Sequence, residues 1–171
     1  MTTRPTPDAG QGQRPASARL LGLLDAVGAR YRLLPHPPEG NTARASELRG
    51  HPLSAAAKCM IVTVPDALPA ARQVLAVIPG DRRVALPRVA AQCGARRAKL
   101  ADRALAERLG GCASGSIIPF SFHHELTVLA DPALLDEPVL YFNAARLDLS
   151  VALATEDYRA LADPKIVPIA E

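Results

Sequence analysis

The feature that most constrains the fold is the run 58–64, KCMIVTV, an apolar and β-branched stretch closed by Pro65. After a short turn a second run follows, residues 73–78, which stops at Pro79-Gly80. Short runs of this kind, bounded by Pro and Gly, predict strands. A parallel connection needs a crossover of about a dozen residues or more, usually a helix, and none fits between them. The two runs therefore predict an antiparallel pair around which the rest must pack.

The remaining elements follow from periodicity and punctuation. Leu20, Leu21, Leu23, Leu24 and Val27 recur at helical spacing, with Ser17 as a candidate N-cap and Gly28 as a stop. Residues 31–34 predict a short strand halted by Pro35, Pro37 and Pro38, and residues 42–48 a short helix ended by Gly50 and Pro52. Helices are expected at 86–93, with Gly94 behind, at 101–109, with Gly110-Gly111 behind, and at 155–161. Strands are expected at 116–118, 127–129, 139–142 and 149–153. The fold class is α+β: a single domain with a mixed, largely antiparallel twisted sheet and helices packed on it. The first fifteen residues, rich in Pro, Gly, Thr and Gln, hold almost nothing to bury and predict a disordered tail at 1–15 before a folded unit at 16–171. A chain of 171 residues suits one core.

Composition excludes several function classes. There is no Trp and aromatics are 4% of residues, so a base-stacking platform for single strands has little to build on. No apolar run approaches the roughly 20 residues of a membrane helix, and the N-terminus lacks the apolar stretch of a signal peptide, so a cytoplasmic location is expected. Cys59, Cys93 and Cys112 stand far apart without a Cys-x-x-Cys pair, as reduced thiols do. The formal charge is +3, unevenly placed: residues 82–108 hold eight bases and two acids, a net of +6, leaving −3 elsewhere. Such a window fits a phosphate backbone, and equally a solvated helical face.

His123-His124-Glu125 is the best metal candidate, but adjacent residues on an extended chain point to opposite sides, and His36 and His51 each stand alone beside prolines. No metal site and no cofactor are expected. No serine sits in a Gly-x-Ser-x-Gly elbow. The loop from Gly111 through Gly115-Ser116 to Pro119 can expose backbone N–H groups to a carbonyl, or can simply form a helix stop and a turn. Lys58, at the head of an apolar strand, is either a strand-end residue with its ammonium in water or a point charge for a phosphate or ester oxygen. Nothing in the sequence speaks to oligomeric state.

The order of these features resembles the YbaK family of trans-editing deacylases, which includes domains associated with prolyl-tRNA synthetase. The resemblance runs from His36-Pro37-Pro38 and Thr42 through Ala57-Lys58, the strand to Pro79, and residues 86–94. It continues through the Gly111-x3-Gly115-x3-Pro119 loop to Phe142-Asn143 and Arg146-Leu147, over about residues 17 to 163. It implies an ester hydrolase that removes a wrongly attached small amino acid from transfer RNA without a metal. It also implies that Lys58 engages the aminoacyl-adenosine end, that Gly115 and Ser116 donate to the substrate carbonyl, and that His36 and Thr42 line the pocket mouth. Gly111, Ile117, Pro119 and Ser150 complete the implied substrate-binding set. Arg82, Arg83, Arg96, Arg97 and Lys99 would meet the tRNA body, and a synthetase is a further possible partner. Ser116 and Ser150 depart from the family pattern and bear on substrate choice. Two other readings remain: a catalytically silent aminoacyl-tRNA-binding module, and a metal-dependent hydrolase using His123 or His124.

Overall fold

A computed structural model describes residues 14–171; the tail expected at 1–15 lies, up to residue 13, outside the described residues. The elements are α1 (Ala16–Ala26), β1 (Tyr31–Pro35), α2 (Thr42–Arg49), β2 (Ala57–Val64), β3 (Arg72–Pro79), α3 (Leu86–Gln92) and β4 (Lys99–Leu100). They continue with α4 (Arg103–Gly110), β5 (Leu126–Ala130), β6 (Val139–Arg146), β7 (Leu149–Ala154), α5 (Thr155–Ala162) and β8 (Lys165–Ile166). The fold is α+β.

β2 and β3 form the antiparallel pair, in register from Ala57 opposite Pro79 to Val64 opposite Arg72. Their near-continuous apolar sequence has a physical cause, because both faces are covered. Ile61, Leu75 and Val77 enter one core with Leu20, Leu24, Phe142, Val151 and Tyr158. Val62, Val64, Val74, Ala76 and Ile78 enter a second with Val89 of α3 and Ile169. Lys58 has the parity of Val62 and Val64, at the end of the strand where that face runs out.

The expected single sheet is instead two. β4-β2-β3-β5-β8 is mixed, with β5 and β8 added in parallel, and β1-β7-β6 is a separate antiparallel sheet. A parallel bridge between Ala56 and Tyr141 joins them. The strand expected at 116–118 is absent: that segment is a loop, with Ser116 and Ile118 buried, and it pairs with no strand among the described residues. Ser17 does not cap α1, which follows Pro15 without a side-chain cap; Asn41 caps α2 by accepting from the Arg44 N–H, and Gly50 closes it in the left-handed region.

The last residues are pinned. Asp131, 3% exposed, accepts from the backbone N–H groups of Ala133, Ile169 and Ala170. The segment so held meets 83–85 through Ala85 N–H to Ile169 and Glu171 N–H to Arg83. No helix among the described residues is long and apolar enough to cross a membrane.

Candidate functional site

A cavity of about 260 Å³ opens where the start of β2 faces β6, between the two sheets. Of the candidate site residues, Lys58, Thr42, Gly115 and Ile117 line it; so do Asn143, which marks the resemblance without an implied role, and Arg49, which the sequence did not single out. Its most buried walls are Ala45, Ala56, Ala57 and Phe142, each 7% exposed or less. Thr42, Lys58 and Gly115 are more open and mark the mouth.

Two loops meet at that mouth. A Cβ on Gly115 would lie 2.8 Å from the Gly40 Cα, and Gly115 has φ +88°, so the approach requires glycine on both counts. Asn143 clasps the loops from behind: its Nδ2 donates to the Glu39 carbonyl at 2.8 Å and to the Gly115 carbonyl at 3.0 Å. Two carbonyl partners fix the amide orientation, so its Oδ1 accepts from the Ser150 hydroxyl at 2.9 Å.

Ser116 does not act as its neighbour can. Its N–H and its hydroxyl both turn back to the Ala113 carbonyl and it is 1% exposed, so the turn that presents Gly115 consumes the donor expected of Ser116. The Gly115 N–H has no acceptor among the described residues. Gly111 caps α4 and lines a different cavity beside Ala16, and Pro119 is buried away from the pocket. Ser150, fully buried, and His36 stand behind the pocket wall, with His36 Nε2 at 2.6 Å from the Ser150 oxygen.

Lys58 donates to the Arg82 carbonyl, which ties the lysine to the loop held by the C-terminal residues. Burial lowers its pKa, and Arg83 lowers it further against the opposing effect of Asp81. Arg49 reaches out of the last turn of α2, with Nε donating to His51 Nε2 at 2.9 Å and Nη1 to Ser150 at 3.2 Å. Burial brings its pKa down to about 10. Burial also pushes the Cys59 thiol up, so this cavity-lining cysteine is no thiolate nucleophile.

The basic residues fall into two groups. Arg82 and Arg83 sit exposed beside Lys58, while Arg96, Arg97 and Lys99 line a groove of about 540 Å³ against Pro65, Leu86 and Pro87. The Arg96 and Arg97 N–H groups donate to Asp66, which fixes that edge. His123, His124 and Glu125 form a turn rather than an extended strand, and their ligand atoms come within 4.8 Å of one another. The expectation that they point apart is therefore corrected, although none of them lines the 260 Å³ cavity.

Residues 36–161 match the aminoacyl-tRNA editing domain family. The multifunctional Ser/Thr-tRNA deacylase ProXp-y of Escherichia coli strain K12 is 39% identical over 150 residues, covering 87% of this chain and 89% of that protein; the protein of the same name from E. coli O157:H7 matches equally. Among solved structures, the hypothetical protein APE2540 superposes with a TM-score of 0.80 at 21% identity, over 90% of this chain and 99% of that one. A candidate trans-editing enzyme for prolyl tRNA synthetase superposes with a TM-score of 0.76 at 18% identity, over 92% and 98%.

Proposed function

The chain belongs to the aminoacyl-tRNA editing domain family, and from that premise we propose that it removes serine or threonine wrongly esterified to transfer RNA. It is an aminoacyl-tRNA deacylase. The choice of amino acid is supported by the relative's substrates and by a cavity smaller than the roughly 300 Å³ at which drug-sized pockets begin.

The observation that carries the mechanism is that Lys58 and Gly115, whose N–H has no acceptor among the described residues, line one small cavity. An aminoacyl ester is already activated, so positioning and charge stabilisation suffice for its hydrolysis. The Lys58 ammonium holds the ester or adjoining phosphate oxygens as a compact point charge. Water attacks the ester carbon, the Gly115 N–H stabilises the developing oxyanion, and as the C–O bond to the ribose breaks the leaving oxygen takes up the proton that the water gives up. Thr42 supplies a hydroxyl to orient the water or the substrate amine. Ser116 and Gly111 shape the loop without touching substrate, and His36 and Ser150 support Asn143 and Arg49. No residue of this scheme calls for a metal.

Arg82 and Arg83 next to Lys58, and the groove of Arg96, Arg97 and Lys99, are placed to receive the acceptor end and body of the tRNA. A cytoplasmic location follows from that substrate, and the fold shared with a candidate trans-editing enzyme for prolyl tRNA synthetase fits action alongside a synthetase. A panel of aminoacylated tRNAs incubated with the protein, with and without chelator, tests the reading. Serine and threonine should be released at equal rates in both conditions. Binding without release would favour a silent module, and activity lost to chelator and restored by zinc would favour the His123-His124-Glu125 turn.

A further inference from the structure

We propose that Arg49 reads the side-chain hydroxyl of the amino acid to be removed, so that the pocket prefers serine to alanine and threonine to valine. This rests on the deacylase reading above and names the residue that gives it chemical selectivity.

Arg49 lines the cavity, yet no carboxylate pairs with it among the described residues. Buried charges are ordinarily paired, because desolvation is costly. Both of its partners are neutral. His51 has Nδ1 2.8 Å from the Pro52 carbonyl, which can only accept, so Nδ1 carries the proton and Nε2 is the lone-pair acceptor for Arg49 Nε. The ring is stacked on Tyr141 with centroids 3.8 Å apart, and burial holds its pKa below the ordinary value, which keeps the ring neutral. The Ser150 hydroxyl gives its proton to Asn143 and accepts from Arg49. Those contacts aim the guanidinium and leave Nη2 with no partner among the described residues.

A ligand in the cavity must answer those donors with an acceptor. The ester has to remain at the mouth, since the tRNA attached to it lies outside; Lys58 and Gly115 are there. The amino-acid side chain then points inward, toward Ala45, Ala56, Ala57 and Phe142, with Arg49 as the cation on that wall. The α-ammonium is repelled by Arg49, and an aliphatic side chain offers it nothing. An apolar pocket rejects an isostere with one changed group only weakly, whereas a site built to hydrogen-bond a hydroxyl rejects the analogue that lacks it strongly.

The test uses one tRNA charged in turn with serine, alanine, threonine and valine. For the wild-type protein kcat/KM should favour serine over alanine, and threonine over valine, by about ten- to hundredfold, the scale of a hydrogen bond to a charged group. Arg49→Met should bring both ratios to within about threefold of unity. Arg49→Lys, which keeps the charge without the fork, should retain part of the preference and serves if the methionine variant does not fold. A variant that slows all four esters equally with its ratios intact would overturn the proposal, since damage to the fold or to the ester site acts on every substrate alike. Absence of the preference in the wild type overturns it while leaving deacylation standing. Failure to hydrolyse any of the four overturns the deacylase reading and this inference with it.

Discussion

Replacing Asn143 by leucine separates the fastening of the site from the stability of the fold. The side chains are similar in size, but leucine removes the two donors that join the Glu39 and Gly115 carbonyls. The Ser150 hydroxyl, fully buried, is not stranded by the change. His36 Nε2, 2.6 Å from the Ser150 oxygen, remains beside it as a partner. The loss is then two neutral hydrogen bonds at about 1 kcal/mol each, roughly 2 kcal/mol in all. For a domain of this size that corresponds to a fall in Tm of about 4–8 °C, leaving the protein folded at assay temperature. Activity should suffer more. With the 39–41 and 114–116 loops no longer fastened together, the Gly115 N–H moves relative to Lys58, and a misplacement of about 1 Å costs around a hundredfold. Thermal melts and initial rates of Ser-tRNA deacylation on the same preparations check both numbers. A Tm lowered as expected with a rate within about twofold of wild type would refute the positioning argument, and an unchanged Tm would refute the clasp itself.

Lys58→Ala should reduce deacylation by at least about one to two orders of magnitude with little change in melting, because the ammonium sits at a strand end rather than in a core; Lys58→Arg should restore little of it. Full activity in a folded Lys58→Ala protein would remove the residue from the mechanism. His51 binds a proton less readily folded than unfolded, since burial lowers its pKa from 6.5, so the unfolded chain takes up more protons as pH falls through that value. Stability should therefore decline on acidification from there down to the depressed value, and His51→Gln should flatten that part of the Tm-versus-pH curve; parallel curves would count against it. The Tyr158 hydroxyl is buried with no hydrogen-bond partner among the described residues, so Tyr158→Phe should leave Tm unchanged or raise it by an amount worth about 1 kcal/mol. A clear loss of stability would show that the hydroxyl has a partner.

What could be read from the sequence was what depends on local pattern. The β2–β3 pair was visible because alternate residues of each strand feed two cores, which writes an apolar run that nothing but a covered strand explains. Lys58 stood out as the charge in that run. The two-residue strands β4 and β8 were not visible, because so short a pairing is decided by the neighbour that β2 or β5 happens to offer. Residues 116–118 have strand composition, but among the described residues they pair with no strand. The engagement of the Ser116 N–H by the Ala113 carbonyl cannot be read from the sequence, because it depends on the turn made by the left-handed Gly115 just before it. Arg49 reads locally as a base suited to the end of a helix, where a cation favours the dipole. Only the hydrogen bond from Arg49 to Ser150 of β7 and the His51–Tyr141 stack show that the guanidinium lies inside.

The bridge between Ala56 and Tyr141 has a mechanical consequence. Ala57 and Lys58 belong to one sheet and Phe142 and Asn143 to the other, and the bridge fastens the two walls together at the residue just before the pocket begins. On the deacylase reading, the gap beyond the bridge receives the amino acid. A bound residue that fills the gap touches both walls at once and resists their parting, so occupancy should register as slower amide exchange along β2 and β6 together, well beyond the residues it contacts.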